Sequence, residues 1–377
     1  MKKALQLATK ANMIDQFNIK NIQILQNLGY EVDVIADFSE PGTITKERAL
    51  SLKNELSEIG VNVIDVSMPR KISPKAIIEA YKKIKKIISH EHYKIIHCHS
   101  PIGSAICRIA AISCKKSGAK VIYTAHGFHF YKGAPLKNWI LFFPIELFLS
   151  LFTDILITIN KEDYQRATKL LKAKKTIYIP GVGVNINNFS FDPVARHSIR
   201  KELGICDDET VLLSVGELNK NKNHKLVINA VSTLNIKYII VGIGELAEEL
   251  ICAAKESGVN LILVGYKNNI KDYLSAADYF IMPSFREGLS MSLMEAMAIG
   301  LPCAVSRIRG NTDLIDCDGG TLFSPKSTDD AKTAIIEIMS KDYESMKNHN
   351  KEKILHFSVD VVSEKMTSIY SNCDREL

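Results

Sequence analysis

The residues best placed to do chemistry lie in one block, Pro283-Ser284-Phe285-Arg286-Glu287-Gly288-Leu289-Ser290-Met291-Ser292-Leu293-Met294-Glu295-Ala296. An apolar strand-like run ends at Met282, a turn containing Gly288 follows, and a run of strong helix formers begins near Ser290. The N–H groups of such a turn and of the first helical turn have no partner within the helix, which makes them an anion site. Gly288 lacks a Cβ, so a phosphate can approach the backbone closely there. Glu287 in the turn and Glu295 two turns into the helix could hold different hydroxyls of one long ligand, as carboxylates hold ribose or sugar diols. Glutamates near a helix start are also favoured by the helix dipole with no ligand present.

Three other constellations invite a chemical reading. His97 and His99 share a face if their stretch is a strand, a geometry open to a metal, but no third ligand is evident, so no metal is expected. Gly242-Ile243-Gly244-Glu245-Leu246-Ala247 follows a strand-like run and opens a helix as a dinucleotide-binding turn does. The next strand ends Leu263-Val264-Gly265-Tyr266 without the acidic residue that would hold the ribose. Asp316-Cys317-Asp318 precedes Gly319-Gly320 and is most simply an acidic turn.

The elements that must position these residues alternate throughout. Short apolar runs at 4–8, 32–36, 61–66, 95–98, 121–124 and 155–159 are separated by helical patterns, including 16–28, a lysine-rich helix around 82–86 and 103–114. Strands so separated cannot pair as hairpins, and right-handed crossovers join them as a parallel sheet. A second series begins at Val211, with strands at 211–215, 238–241, 261–264, 279–282 and 302–306. Pro180-Gly181-Val182-Gly183-Val184-Asn185 between the series reads as a turn or hinge. The expectation is α/β, two doubly wound Rossmann-like domains facing a central cleft: residues 1–182, residues 183–356, and a segment 357–377 crossing back as a helix. Ligands of such sheets bind beyond the carboxyl ends of the strands.

Composition narrows the class further. A chain of 377 residues with 46% hydrophobic and 24% charged residues is globular and long enough for about two domains, not disordered or collagenous. Its eight cysteines include no CxxC pair, so neither a zinc clip nor a disulfide framework is signalled. Lys2, Lys3 and a short strand-like stretch before Lys10 lack the apolar core and cleavage site of a signal peptide, and a cytoplasmic location is expected. Residues 1–182 carry 27 basic and 15 acidic side chains, a balance of +12, which leaves −6 for the remainder. A nucleic acid, an anionic lipid surface or a phosphorylated substrate would each suit that field. Lys82, Lys83, Lys85 and Lys86 are either a solvated helix face or a membrane-facing one. The segment 136–152, LKNWILFFPIELFLSLF, is too short to span a bilayer and is interrupted by Pro144 and Glu146. It is either a core helix or a face that lies on a membrane.

Glu287 and Glu295 with the intervening GLSMSLM, followed by Ala296-Met297-Ala298-Ile299-Gly300-Leu301-Pro302, resemble the E-x7-E signature of retaining glycosyltransferases of family 4, which have the GT-B fold. Arg309-Gly310-Asn311-Thr312-Asp313-Leu314-Ile315 and Gly319-Gly320-Thr321-Leu322-Phe323 continue in the same manner. His97-Cys98-His99-Ser100-Pro101 and Thr124-Ala125-His126-Gly127-Phe128-His129 resemble the bacterial capsular and exopolysaccharide branch. The resemblance covers nearly the whole chain. It implies an acceptor-binding first domain and a nucleotide-sugar-binding second domain. It assigns donor-sugar hydroxyls to Glu287, ribose hydroxyls to Glu295, and the diphosphate and sugar to the backbone of Gly288, Leu289 and Ser290. It places the base near Gly265 and Tyr266, the diphosphate charge on Lys222, and the donor sugar against His126 from the first domain.

The implied reaction moves a sugar from a nucleoside diphosphate sugar, with a UDP-linked donor expected, to a polyprenyl diphosphate-linked saccharide at the inner membrane face. The acceptor hydroxyl attacks from the leaving-group face and a donor phosphate oxygen takes its proton, with no metal and no protein nucleophile. An anionic membrane surface is the expected further partner, and nucleic acid is not. The chain departs from the family pattern at Glu217, where a basic residue is usual, and at Thr9–Asp15, where a glycine-rich loop is common; Lys220 could supply the missing charge. A sugar-nucleotide epimerase of the same fold, an oxidoreductase using Gly242 and Gly244, and a non-catalytic saccharide-binding protein are the alternatives.

Overall fold

The computed structural model describes residues 2–69 and 73–375, and its contacts divide the chain into two compact units, 1–182 with 362–377, and 183–361. The first unit comprises β1 (Lys2–Lys10), α1 (Ala11–Phe17), α2 (Ile19–Asn27), β2 (Tyr30–Asp37), α3 (Lys46–Glu58), β3 (Asn62–Asp65), α4 (Pro74–Glu91), β4 (Ile95–His99), α5 (Pro101–Ala110), β5 (Lys120–Ala125), α6 (Leu136–Ser150), β6 (Ile155–Thr158), α7 (Lys161–Leu170) and β7 (Lys175–Tyr178). The second comprises α8 (Pro193–Glu202), β8 (Val211–Val215), α9 (His224–Val231), β9 (Lys237–Val241), α10 (Ala247–Glu256), β10 (Asn260–Gly265), α11 (Ile270–Ala276), β11 (Tyr279–Met282), α12 (Met291–Ile299), β12 (Cys303–Ser306), α13 (Asn311–Leu314), β13 (Gly320–Phe323), α14 (Thr328–Ser340) and α15 (Tyr343–Ile354). The helix α16 (Val359–Arg375) follows.

Each unit is built on a parallel sheet, in the order β3-β2-β1-β4-β5-β6-β7 in the first and β10-β9-β8-β11-β12-β13 in the second. The central strands are apolar on both faces because helices cover both, and each unit accordingly has two separate cores. Strand order reverses between β1 and β4 and again between β8 and β11, which opens a crevice at the carboxyl ends of those strands.

The alternation of strands and helices is as expected, with instructive differences. The helix expected at 16–28 is two helices, broken at Asn18, which is fully buried and turns its amide back onto the Met13 carbonyl at 2.7 Å. The strands β7, KTIY, and β13, GTLF, escape the sequence reading because neither carries a continuous apolar run; β7 has only one aliphatic side chain, Ile177. Pro144 does not interrupt α6: it forgoes a bond to the carbonyl of Ile140, on a side of the helix that is exposed to water. The chain returns to the first unit after Val361 rather than after 356, since Val359 is still held by Val184 in the second unit at 3.0 Å. Glu376 and Leu377, the end of the expected C-terminal segment, lie outside the described residues.

Candidate active site

In the second unit the expected residues gather beyond β8 and β11. The β8–α9 loop carries Lys222, and the β11–α12 loop carries Glu287. Backbone bonds tie the loops together: Phe285 N–H donates to the Asn221 carbonyl at 2.8 Å, and Asn221 Nδ2 donates to the Arg286 carbonyl at 3.0 Å. Asn223, in the left-handed conformation at φ 55°, holds the carbonyls of Pro283 and Pro325 through its Nδ2. The result is that Lys222 Nζ meets Glu287 Oε1 at 2.8 Å. The Lys222 stem lies over Gly216, where even a Cβ would come within 3.0 Å of it.

Ser290 caps α12 and, with Gly288 and Leu289, forms the turn before its first N–H groups. A second loop, at Arg309 and Gly310, supports that turn. Arg309 Nε donates to the Glu287 carbonyl at 3.1 Å, and a Cβ on Gly310 would stand 2.3 Å from the Gly288 carbonyl oxygen. Glu295 sits on α12 with no hydrogen bond or ion pair to its carboxylate among the described residues, and burial raises its pKa to about 7. A poorly solvated carboxylate with open acceptor sites suits a diol. Gly265 ends β10 in the left-handed region at φ 75°, and Tyr266 after it is 70% exposed.

In the first unit, taken by itself, histidines stand at the ends of β4 and β5. His97 and His99 are buried, and His126 is partly so. They are not a metal pair in waiting, because their nitrogens are taken. His97 Nδ1 and Nε2 meet Tyr370 Oη at 2.7 Å and Thr124 Oγ1 at 2.8 Å, and His99 meets Gln6 Oε1 and His126 Nε2 at 3.2 Å each. Desolvation pushes the pKa of His126 down to about 4 and that of His97 to about 3, and lowers that of His99 as well. All three are neutral at pH 7. Ser100, directly after His99, adopts φ 67°, a strained conformation of the kind that gathers at ligand sites. In place of a glycine-rich loop, β1 runs on to Lys10, whose buried ammonium is committed to Asp37 at 2.8 Å and Glu40 at 3.1 Å.

The remaining constellations resolve structurally. Gly242 and Gly244 are required by close backbone approach: added Cβ atoms would stand 1.9 Å from the Gly216 oxygen and 2.4 Å from the Leu218 oxygen. Asp316 and Asp318 lie near His349 with ligand atoms within 4.8 Å, but Asp316 is paired with Lys353 at 2.6 Å and accepts from the N–H groups of Asp318 and Gly319, as an acidic turn does. Glu217 is exposed and accepts from Asn219 Nδ2 at 2.9 Å, and Lys220 is exposed.

A family model described as glycosyl transferases group 1 matches residues 195–354, and one described as glycosyl transferase 4-like matches residues 11–160. The Bacillus subtilis protein EpsD, named as a glycosyltransferase, is 33% identical over 385 residues, which span 98% of this chain and 96% of that one. The chain is a glycosyltransferase of this group 1, 4-like family. An Escherichia coli relative, 27% identical over 97% of this chain and 95% of its own, is named UDP-Gal:alpha-D-GlcNAc-diphosphoundecaprenol alpha-1,3-galactosyltransferase. Among solved structures, Anabaena HepE in complex with UDP and glucose aligns over 99% of this chain and all of its own, with a TM-score of 0.78 and 17% identity. Sucrose-phosphate synthase from Thermosynechococcus elongatus aligns over the whole of both chains at a TM-score of 0.79 and 17% identity. These likenesses establish the GT-B fold.

Sequence reasoning missed several residues that shape the sites of this glycosyltransferase. Arg309 and Asn223 act through backbone carbonyls, which leave no trace in residue type. Gln6 and Tyr370 meet at 3.0 Å from positions 364 residues apart, a separation that no local pattern reports.

Proposed function

We propose that this glycosyltransferase moves a hexosyl or N-acetylhexosaminyl group from a UDP-sugar to a polyprenyl diphosphate-linked saccharide, with retention and without a metal, in capsule or exopolysaccharide synthesis. The observation that carries the reading is the Lys222–Glu287 pair, 2.8 Å apart beside the start of α12, at the strand-order reversal of the second unit. Lys222 and the N–H groups of Gly288, Leu289 and Ser290 neutralise the diphosphate, and Lys222 acts most strongly as charge builds on the leaving group. Glu287 holds sugar hydroxyls, Glu295 the ribose, and Gly265 and Tyr266 offer backbone and a ring to the base. His126 meets a hydroxyl of the donor sugar. The acceptor hydroxyl attacks on the leaving-group face and passes its proton to a donor phosphate oxygen.

The acceptor class is supported by the printed activity of the E. coli relative. A working place against an anionic membrane is supported by α4 and α6. Lys82, Lys83, Lys85 and Lys86 are exposed on α4, and Leu136, Ile140, Leu141, Ile145 and Phe148 form an exposed apolar stripe on α6. No helix among the described residues is long and apolar enough to cross a membrane.

The test is transfer from a panel of UDP-sugars to a synthetic polyprenyl diphosphate saccharide, with and without EDTA, with the product anomer read by NMR. Retention and full activity in EDTA are expected. Inversion would overturn the mechanism, and loss of activity restored by a divalent cation would overturn the metal-free site.

A further inference from the structure

The buried side chains around His126 form a chain of hydrogen bonds whose direction can be followed from end to end. Gln6, on β1, lies fully buried between the two histidines of β4. Its Nε2 donates to Tyr370 Oη at 3.0 Å and stands 3.4 Å from His97 Nδ1, while its Oε1 stands 3.2 Å from His99 Nε2. An amide oxygen only accepts, so with the Gln6 amide turned this way His99 carries its proton on Nε2. A neutral imidazole has one N–H, which leaves His99 Nδ1 as an acceptor. The partner 3.2 Å away, His126 Nε2, must then be the donor.

The other branch follows from the same amide orientation. Tyr370 Oη accepts from Gln6 and gives its hydrogen to His97 Nδ1, and His97 Nε2–H donates to Thr124 Oγ1. Burial keeps all three imidazoles neutral at pH 7, and a second proton on His97 or His99 would set two hydrogens in one contact or point a hydrogen at a donor. His126 Nδ1 has no partner among the described residues, and the ring lines a cavity with Phe17, Lys20 and Ser363.

We propose that Gln6 and His99 are positioning residues that lock His126 in its Nε2–H tautomer, so that His126 offers a ligand an acceptor nitrogen, Nδ1, and selects a hydroxyl hydrogen of the donor sugar. The inference deepens the reading above, since it takes from it that His126 meets the sugar. Its consequence for specificity is that a sugar with an acceptor-only substituent at that point, such as fluorine or a methoxy group in place of the hydroxyl, is rejected.

The test needs no ligand at first. Long-range 1H–15N correlation of the full chain labelled with 15N-histidine, assigned with single His→Asn variants, reads the tautomer directly. A pyrrole-type Nε2 and a pyridine-type Nδ1 at His126 are expected at pH 7. A proton on Nδ1, or a mixture, overturns the proposal. In Gln6→Leu the single tautomer should give way to exchange between two, while Gln6→Glu, which still accepts from His99, should keep it. An unaltered His126 spectrum in folded Gln6→Leu overturns the role of Gln6. Turnover should fall about tenfold in Gln6→Leu, the worth of one ordinary hydrogen bond, with affinity for UDP itself unchanged. If His126→Ala turns over as well as the parent, the placing of the sugar falls while the tautomer result stands, so the two failures are told apart.

Discussion

Lys222 and Glu287 neutralise one another at 2.8 Å, and a sugar diphosphate entering there exchanges that contact for two new ones: phosphate for the lysine, hydroxyls for the glutamate. Substitution of Lys222 by alanine should therefore cost turnover more than affinity, because the diphosphate gains its charge only as the glycosidic bond breaks. A loss of roughly 100-fold in kcat with a severalfold change in Kd is expected; equal losses would mean uniform binding. Glu295 makes a prediction without substrate. Its pKa of about 7 in the fold stands above the ordinary 4.5, so the folded state holds the proton more tightly than the unfolded chain. The contribution is complete below pH 4.5 and is lost as pH rises through 7. Glu295→Gln, which never ionises, should match the parent near pH 4.5 and exceed it by about 1–3 kcal/mol at pH 8 in denaturant titrations, while binding UDP more weakly. Equal stability of the two at pH 8 would show Glu295 to be well solvated. Glu287, Glu295 and the Gly288 turn were legible because they lie within ten residues of one another on one loop and helix. The Gln6–Tyr370 contact was not, because it exists only once β1 and α16 have come together.

At the scale of elements, strands with a continuous apolar run announced themselves, and β7 and β13, which have none, did not. The segment 136–152 shows why the sequence offered two readings of one helix. Trp139, Phe142, Phe143 and Leu147 on α6 pack against the first unit's core, and Leu136, Ile140, Leu141, Ile145 and Phe148 face outward. A helix apolar on both sides has no periodicity to report which side is inside. Glu146 decides it. Its carboxylate receives Nη1 of the buried Arg108 on α5 at 2.5 Å, and that guanidinium lies over the Tyr123 ring at 4.1 Å. The residue that looked like an interruption pins α6 in place. Glu146→Leu should leave a buried guanidinium without its counter-charge and destabilise the protein by about 3–5 kcal/mol in chemical denaturation. Arg108→Met combined with Glu146→Leu should recover most of that loss, since the uncompensated charge goes with its partner. A double variant no better than the single would show that packing of the guanidinium on Tyr123, not charge, holds α6.

Across the whole molecule, charge is divided unequally: +12 over residues 1–182 and −6 over the rest. The four lysines of α4 and the outward stripe of α6 belong to helices that pack on the same core of the first unit, with α5 in contact with both. Cations and apolar side chains exposed on one layer suit an anionic bilayer, where the acceptor proposed above would reside. Each lysine close to such a surface contributes about 1 kcal/mol and is screened within a Debye length of about 10 Å at 0.1 M salt. Apolar insertion carries no such dependence. The two contributions therefore separate in a flotation assay with vesicles containing phosphatidylglycerol. The parent protein should float at low salt and keep a smaller bound fraction at high salt. Changing Lys82, Lys83, Lys85 and Lys86 to glutamine should remove most of the salt-sensitive part, and changing Ile140 and Phe148 to serine should remove the salt-resistant remainder. Neither set of changes touches a buried residue, so both proteins should melt as the parent does. A parent protein that stays at the bottom of the gradient at low salt would refute the membrane face and leave the positive field to the diphosphate of the acceptor.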